Sequence, residues 1–428
     1  MGIVRNTKSV CPKCIKNIDA QIVEQGSSIY MLKECKVHGK FKILLSDYLE
    51  QYKGLTKSYF SFKNKRKQDF YQLILTMNCN LNCPVCFINA NRYRYEEPTL
   101  DWIKKRLKSF KNVKIGLFGG EPTLRKDLFE IIKLVKESGN TPLLFTNGVE
   151  LSNSHYAKII KDSGVNEVHL QFDGFSTEGY RKMRGKDLTQ QKKLALENLK
   201  NYDIPTVLET THIKDLNEQE ISNIFEFALK NDFIQGVVFR PYCFIGRKGI
   251  KDSTLNVEDI MHNLEKKQRI SLENINRFQK VVYFVGNFFK IKKCFYNKYY
   301  LVFRTKNGYK TIDEVINVEK MEKRIDSIRK KPSKIDLIRL LSPLLLNFKN
   351  YKYYFKLHRF LKRNPVTFSS TKKNNLLILA FAIICESSNF DYQLLPYCNQ
   401  GEISTDFGVN DAVAVPNILR EKGEKEKN

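Results

Sequence analysis

Between residues 71 and 250 the chain alternates short apolar runs with stretches in which apolar residues recur every three or four positions. The runs at 72–77, 113–118, 142–145, 167–172, 206–211 and 237–241 read as strands, and the stretches at 100–110, 127–138, 154–163, 192–201 and 218–231 read as amphipathic helices. Strands alternating with helices of about 10–15 residues imply right-handed βαβ units and a parallel sheet. Six such units suit an open doubly wound sheet or an incomplete barrel. In either, ligands lie beyond the C-terminal ends of the strands.

Outside that region the rhythm changes. Residues 11–41 form a short cysteine-bearing segment, and 52–70, basic and aromatic with a lysine-rich centre at 63–67, read as a connector. Residues 256–273 read as a helix capped by Asn256, 280–304 are strongly aromatic, 337–363 are basic and helical, and 374–417 form a final unit. The expected division is an N-terminal metal-binding knuckle over 1–50, a linker over 51–70, the core over 71–250, an α+β C-terminal region over 251–417, and a charged, disordered tail over 418–428.

Length and composition bound the class. A chain of 428 residues allows two or three units, and 42% apolar with 28% charged residues describes a soluble globular protein. No apolar run reaches the roughly 18 residues of a transmembrane helix, and residues 1–9 lack the apolar stretch of a signal peptide, so a cytoplasmic location is expected, including the inner membrane surface. Lys and Arg total 73 against 46 Asp and Glu, a formal charge of +27 that attracts anionic partners. Nucleic acid, anionic lipid and a surface that is merely solvated all remain open on charge alone. Ten irregularly spaced cysteines in a long chain without a leader point to metal or redox chemistry rather than to disulfides.

The loop directly after the first predicted core strand holds Cys79, Cys83 and Cys86 in a C-x3-C-x2-C pattern. Three thiolates so spaced can wrap one corner of a [4Fe-4S] cubane and leave the fourth iron open to a bidentate ligand. S-adenosylmethionine is such a ligand, through its amino and carboxylate groups, and an electron from the cluster then releases a 5'-deoxyadenosyl radical. A structural zinc site would need a fourth protein ligand nearby, and none follows. The second predicted strand ends in Gly119, Gly120, Glu121 and Pro122, where glycines admit close backbone approach and Glu121 or adjacent carbonyls can accept from the ligand's ammonium. At the end of the third, Thr146 and Asn147 precede Gly148 and offer hydroxyl and amide contacts to the cofactor. Near the N-terminus, Cys11 with Cys14 and Cys35 with His38 give two knuckles that suit tetrahedral zinc or a mononuclear iron.

Cys79, Cys83 and Cys86, the Gly119–Pro122 run and Thr146-Asn147-Gly148 together resemble the radical S-adenosylmethionine superfamily. The resemblance implies a partial (β/α)6 barrel over roughly 71–250, an oxygen-sensitive [4Fe-4S] cluster, S-adenosylmethionine, a low-potential electron donor as partner, and hydrogen abstraction from an unactivated carbon. The N-terminal knuckles, then Gln171-Phe172-Asp173-Gly174, residues 215–220, Arg240-Pro241-Tyr242 and Gly246-Arg247, are similar to the archaeal tetraether lipid synthase group, with Asp173 joining the cofactor-binding set. That group joins lipid alkyl chains and carries extra iron sites, so a lipid or membrane-surface substrate is implied here.

The chain departs from that group in its sparse late cysteines. Only Cys243, Cys294, Cys385 and Cys398 follow the core cysteines, enough to ligate one auxiliary [4Fe-4S] cluster, with Cys294, Cys385 and Cys398 the favoured set, or to be buried free thiols. Residues 348–363 interleave aromatic and basic side chains, which suits an interfacial helix, a single-stranded nucleic-acid contact or a helix packed on the core. Modification of a peptide or of a small cofactor precursor is the alternative activity, although peptide-modifying relatives usually carry seven late cysteines. A nucleic-acid-binding protein with a structural cluster is not expected, because Gly119, Gly120 and Glu121 stand beside an open-iron loop.

Overall fold

The computed structural model describes residues 2–60, 68–250, 255–290, 292–328, 333–345, 353–354, 357 and 375–425. Strands β1 (Gly2–Val10), β2 (Asn17–Gln25), β3 (Ser28–Cys35) and β4 (Gly39–Ser46) form an antiparallel meander in chain order. Alternation drives it: Ile29, Met31, Lys33 and Cys35 of β3 are buried, and the residues between them are not. The predicted knuckle is thus a complete small sheet whose turns carry the cysteines. Residues 49–60, expected to lie mostly in the linker, form the helix Leu49–Phe60. Tyr52 and Leu55, three apart on one face, pack with Tyr283 and Phe295, and this burial overrides the lysine-rich connector pattern. The lysine-rich centre at 63–67 lies outside the described residues.

The core holds β5 (Phe70–Thr76), β6 (Lys114–Gly119), β7 (Thr141–Thr146), β8 (Glu167–Gln171), β9 (Thr206–His212) and β10 (Ile234–Pro241), parallel and paired in sequence order. Helices Leu100–Leu107, Leu128–Glu137, Ser154–Asp162, Thr189–Asn201 and Glu220–Lys230 connect them, close to the predicted positions. The short helix Thr177–Arg184 was not predicted. Side chains alternate across the sheet. Val168 and Leu170 of β8 and Leu208 of β9 join the helices in the main apolar core, while His169, Gln171, Glu209 and Thr211 face the inner cavity.

The C-terminal region is not a separate unit. Its strands β11 (Asn297–Thr305), β12 (Gly308–Thr311), β13 (Leu376–Ala382), β14 (Gly401–Ser404) and β15 (Gly408–Asn410) extend both edges of the core, giving the order β12-β11-β13-β10-β9-β8-β7-β6-β5-β14-β15. β13 lies parallel to β10, and β14 parallel to β5. Residues 383–400 therefore cross from one edge of the partial barrel to the other.

Two further expectations need correction. The helix expected over 256–273 is two helices, Val257–Lys267 and Leu272–Phe288, because the Ser271 side chain caps the second by accepting from the Asn274 amide. The expected tail is helical through Lys425, as part of the helix Ala414–Lys425. Ile418 is buried against Val10 and Phe390, and Arg420 pairs with Glu402, so this segment carries its own packing despite its charge. In the basic aromatic stretch, Tyr353, Tyr354 and Leu357 belong to the main core, whereas most of 346–363 lies outside the described residues. Among the described residues no helix is long and apolar enough to cross a membrane.

Candidate active site

Residues 79–91 form the loop that follows β5, held from three sides. Asn91, in the left-handed region at φ 66°, accepts from the Cys79 amide at 2.7 Å and donates to the carbonyls of Cys79 and Leu81 at 3.0 and 3.1 Å. The segment after β10 closes over the other side: the Arg247 amide donates to the Cys86 carbonyl at 2.8 Å, and its guanidinium to the Cys83 carbonyl at 3.0 Å. Cys79, Cys83 and Cys86 all open onto one cavity of about 270 Å³. Backbone amides already point at two of the sulfurs, Leu81 to Cys79 and Ala90 to Cys86, both at 3.4 Å. Burial pushes the Cys79 thiol up to about 12, and it also raises Cys86. Three half-buried cysteines that open onto one cavity are soft ligands for iron, so the residues fit the corner of a cluster.

Gly119, Gly120, Thr146 and Asn147 line the same cavity, and the backbone shows why the glycines stand there. A Cβ on Gly119, at φ 143°, would collide with the Thr76 carbonyl, and one on Gly120 with that of Asn78. The turn instead docks on the cysteine loop, with the amides of Gly120 and Glu121 donating to Thr76 and Asn78 at 2.7 and 2.8 Å. The glycines thus answer a backbone contact that the sequence did not suggest, while also lining the cavity.

The expectation for Glu121 also changes. It is fully buried and accepts from the Thr123 amide and hydroxyl at 3.1 and 2.6 Å, the Thr146 hydroxyl at 2.7 Å and the Asn147 amide at 2.7 Å. Its oxygens are spent on ordering the turns. Pro122, likewise buried, starts the turn that follows and does not line the cavity. Asp173 lies behind the cavity wall and holds Arg184, which does line it.

Sequence reasoning missed Arg184 and Lys192. Despite burial, which pulls the other way, Asp173 and the Cys83 thiol keep the Arg184 guanidinium firmly charged. Lys192 is 1% exposed and donates to the carbonyls of Asn147 and Gln171 at 2.6 and 2.5 Å, tying the ends of β7 and β8. Burial draws its ammonium down to about 7. Neither residue differs in pattern from its helical neighbours Arg181 and Lys193, so no local signal marks it.

The inner face of the sheet is polar where a barrel interior is ordinarily a packed apolar core. His169 lies between Glu209, at 2.6 Å from Nδ1, and Glu167, at 2.8 Å from Nε2, and stacks on Phe145. Burial opposes its charge, but the two carboxylates win and raise it to about 9. Glu209 also accepts from Arg240; burial works against the carboxylate, and Arg240 and His169 still hold it down near 2. Gln72, Gln171, Glu209 and Arg240 form the polar wall of the cavity, while Phe87, Ile88, Phe118, Ile383 and Ile384 are its apolar lining.

The late cysteines reach this cavity too: Cys243, Cys294, Cys385 and Cys398 all line it. Burial raises Cys385 far above the usual thiol range, with Cys294 and Cys398 adding to the effect. Cys294 rises to about 12 through burial and Cys398. Cys243, also near 12 from burial, has Glu386 and Arg240 as its charged neighbours instead. All four are half-buried, and as cysteines on one cavity wall they offer soft ligands to a metal cluster.

At the N-terminal sheet, ligand atoms of Cys11, Cys14, Cys35 and His38 lie within 4.8 Å of one another. Cys14 Sγ is 3.9 Å from Cys35 Sγ, and His38 Nδ1 is 3.6 and 3.5 Å from the sulfurs of Cys11 and Cys35. Tetrahedral zinc with Zn–S bonds of about 2.3 Å needs sulfurs about 3.8 Å apart, so the set fits that ion. The Val37 amide and then His38 lower the Cys35 thiol to about 6, preparing it as a thiolate.

A partial parallel barrel, a three-cysteine loop at the strand ends and a glycine turn docked beside it are the arrangement that the resemblance to the radical S-adenosylmethionine superfamily implied for this region. Residues 73–228 match the Radical SAM superfamily model, and residues 3–47 match the HMPTM N-terminal zinc ribbon domain. A Methanocaldococcus jannaschii 7,8-dihydro-6-hydroxymethylpterin dimethyltransferase is 33% identical over 295 residues, covering 61% of this chain and 58% of that protein. A Nautilia profundicola GTP 3',8-cyclase is 32% identical over 188 residues, covering 42% and 57%. The chain thus spans less than two thirds of either relative. The structure of Streptococcus suis SuiB bound to S-adenosylmethionine superposes at a TM-score of 0.41 with 16% identity, over 57% of this chain and 68% of that one. The two curated relatives carry a pterin and a nucleotide in their names, where the sequence resemblance pointed to tetraether lipids.

Proposed function

We propose that this chain is a radical S-adenosylmethionine enzyme that abstracts hydrogen from a carbon of a polar, ring-bearing small molecule and modifies it there. The observation that carries the reading is the single cavity onto which Cys79, Cys83, Cys86, the polar wall and the late cysteines all open. When bound, the cluster and cofactor supply reductive cleavage of the sulfonium and a 5'-deoxyadenosyl radical.

The chain's own residues do the rest. Cys79, Cys83 and Cys86 hold three irons, and the carbonyls of the Gly119–Gly120 turn accept from the cofactor's ammonium. Arg184, fixed by Asp173, meets its carboxylate, and Thr146 and Asn147 flank it. Glu209 and Arg240 offer an acceptor and a donor side by side, which suits a heterocycle with N–H and carbonyl groups on one edge. The pterin and GTP in the names of the two relatives have this chemistry, which supports the class without choosing its member. Cys294, Cys385 and Cys398 hold a second [4Fe-4S] cluster on this reading, and the N-terminal set holds zinc.

An alkyl chain is the second reading. Phe87, Ile88, Phe118, Ile383 and Ile384 in the cavity favour it, and it brings a peripheral position at the membrane with it. Its weakness is the Arg240–Glu209 pair, which an alkyl chain would strip of water without supplying any polar contact in return. Anaerobic reduction with deuterium-labelled pterins and guanine nucleotides in one arm, and a deuterium-labelled archaeal lipid extract in the other, separates the two. Deuterium in 5'-deoxyadenosine from the first arm supports the polar reading, and label transfer only from lipid overturns it.

A further inference from the structure

The N-terminal sheet grips the segment that closes the barrel. From β1, three residues on one face, Arg5, Thr7 and Ser9, reach across: Arg5 pairs with Asp391, Thr7 donates to Asp391 at 2.6 Å, and Ser9 donates to the Phe390 carbonyl at 2.6 Å. From β3, Lys33 is 4% exposed, and its ammonium donates to the carbonyls of Ser387 and Ser388, both at 2.8 Å, and to that of Val10 at 2.9 Å. All these partners except Val10 lie between Cys385 and Cys398.

The grip runs through the metal knuckle. Val10 immediately precedes Cys11, and Ile15 immediately follows Cys14; both pack on Phe390, Ala414 and Ile418, with Cys385 against the cluster. Ile15 has φ 58°, a conformation that β-branched residues rarely adopt and that survives only where its surroundings impose it. The Cys11–Cys14 turn imposes it, with the Ile15 amide donating to the Cys11 carbonyl at 2.9 Å. Metal binding at such a knuckle is folding free energy for the turn.

We infer that the N-terminal metal site is a clamp for the second cysteine site: with its metal bound, Ile15 and Lys33 hold residues 385–398 so that Cys385 and Cys398 face the cavity together, and without it that strap loosens. This rests on the reading that those thiols hold a cluster, but it is testable apart from it. Lys33 and Ile15 are positioning residues, since neither touches the cavity.

The test uses the full chain, reconstituted anaerobically with iron, sulfide and zinc. Zinc and iron are counted per chain, and the alkylation of Cys385 and Cys398 by iodoacetamide is timed in cluster-free protein. Cys14→Ser should lose zinc, fall from roughly eight irons to roughly four, and raise Cys385 alkylation by at least about tenfold. Lys33→Met should keep zinc and still raise that alkylation by about threefold; it carries the test alone if Cys14→Ser does not fold. Wild type with roughly four irons but zinc-dependent protection of Cys385 removes the second cluster and keeps the clamp. Zinc loss, or Lys33→Met, with unchanged alkylation of both thiols overturns the clamp, whatever the iron count.

Discussion

Asp173 meets Arg184 through two parallel hydrogen bonds, Nε to Oδ2 at 2.7 Å and Nη2 to Oδ1 at 2.9 Å. Both side chains are nearly buried, and Asp173 also accepts from the Thr211 amide at 3.1 Å. A fork so held cannot swing, which keeps the guanidinium at the wall beside Cys83. Asp173→Asn should weaken S-adenosylmethionine binding about tenfold, or about 1.4 kcal/mol, with iron content unchanged. The cofactor-induced change in the cluster's electron paramagnetic resonance signal, titrated with cofactor, reads this. Unaltered affinity would remove Arg184 from the site.

Glu121 supplies a second test, because its four accepted bonds assign it to the turns. Glu121→Gln replaces one oxygen by an amide donor, which in the Oε2 position faces the Asn147 amide donor, and should cost about 2–3 kcal/mol of stability. Denaturant unfolding of the apo protein measures it. Full apo stability with only cofactor binding lost would instead make Glu121 a direct ligand.

The core was legible in the sequence because each βαβ unit states its period locally. The 2-residue alternation of β8 and the 3.6-residue period of Leu128–Glu137 need no partner to be recognised. The cysteine loop was legible for the same reason, since its ligands are neighbours in the chain. What stayed hidden depends on distant pairing. β13 and β14, 19 residues apart at their nearest ends, flank opposite sides of the six-stranded core, and nothing in either segment names its partner. The helix Leu49–Phe60 was masked by its lysines, whose apolar stems cover the surface while Tyr52 and Leu55 point inward. Glu209 and Arg240 read as ordinary strand residues until β9 and β10 are placed side by side.

The Glu167–His169–Glu209 network makes stability depend on pH in a stated direction. His169 is raised from 6.5 to about 9, so its contribution is complete below pH 6.5 and lost as pH climbs through 9. Glu209 is lowered from 4.5 to about 2, so its contribution is present above pH 4.5 and lost as pH falls towards 2. Both are complete only between these limits, from pH 4.5 to 6.5. His169→Gln should remove on the order of 2 kcal/mol of the stability that wild type loses between pH 6.5 and 9. Thermal unfolding of both proteins at the two pH values checks this; an equal loss in each would show that another group titrates.

The late cysteines differ in grouping, and that difference is measurable. Cys385→Ala or Cys398→Ala should reduce reconstituted iron from roughly eight to roughly four per chain. Cys243→Ala, whose thiol has Glu386 and Arg240 as its charged neighbours, should leave it near eight. If Cys243→Ala lost as much iron as the other two, the second cluster would have four protein ligands and no open iron.

The central claim is that Cys79, Cys83 and Cys86 generate a radical from S-adenosylmethionine, and its most direct measurement is 5'-deoxyadenosine formed after anaerobic reduction of the reconstituted protein. The wild-type chain should form it, and Cys83→Ser should fall by at least about a thousandfold while keeping its zinc. Equal amounts from both proteins, or none from a wild type carrying its full iron, would contradict the account.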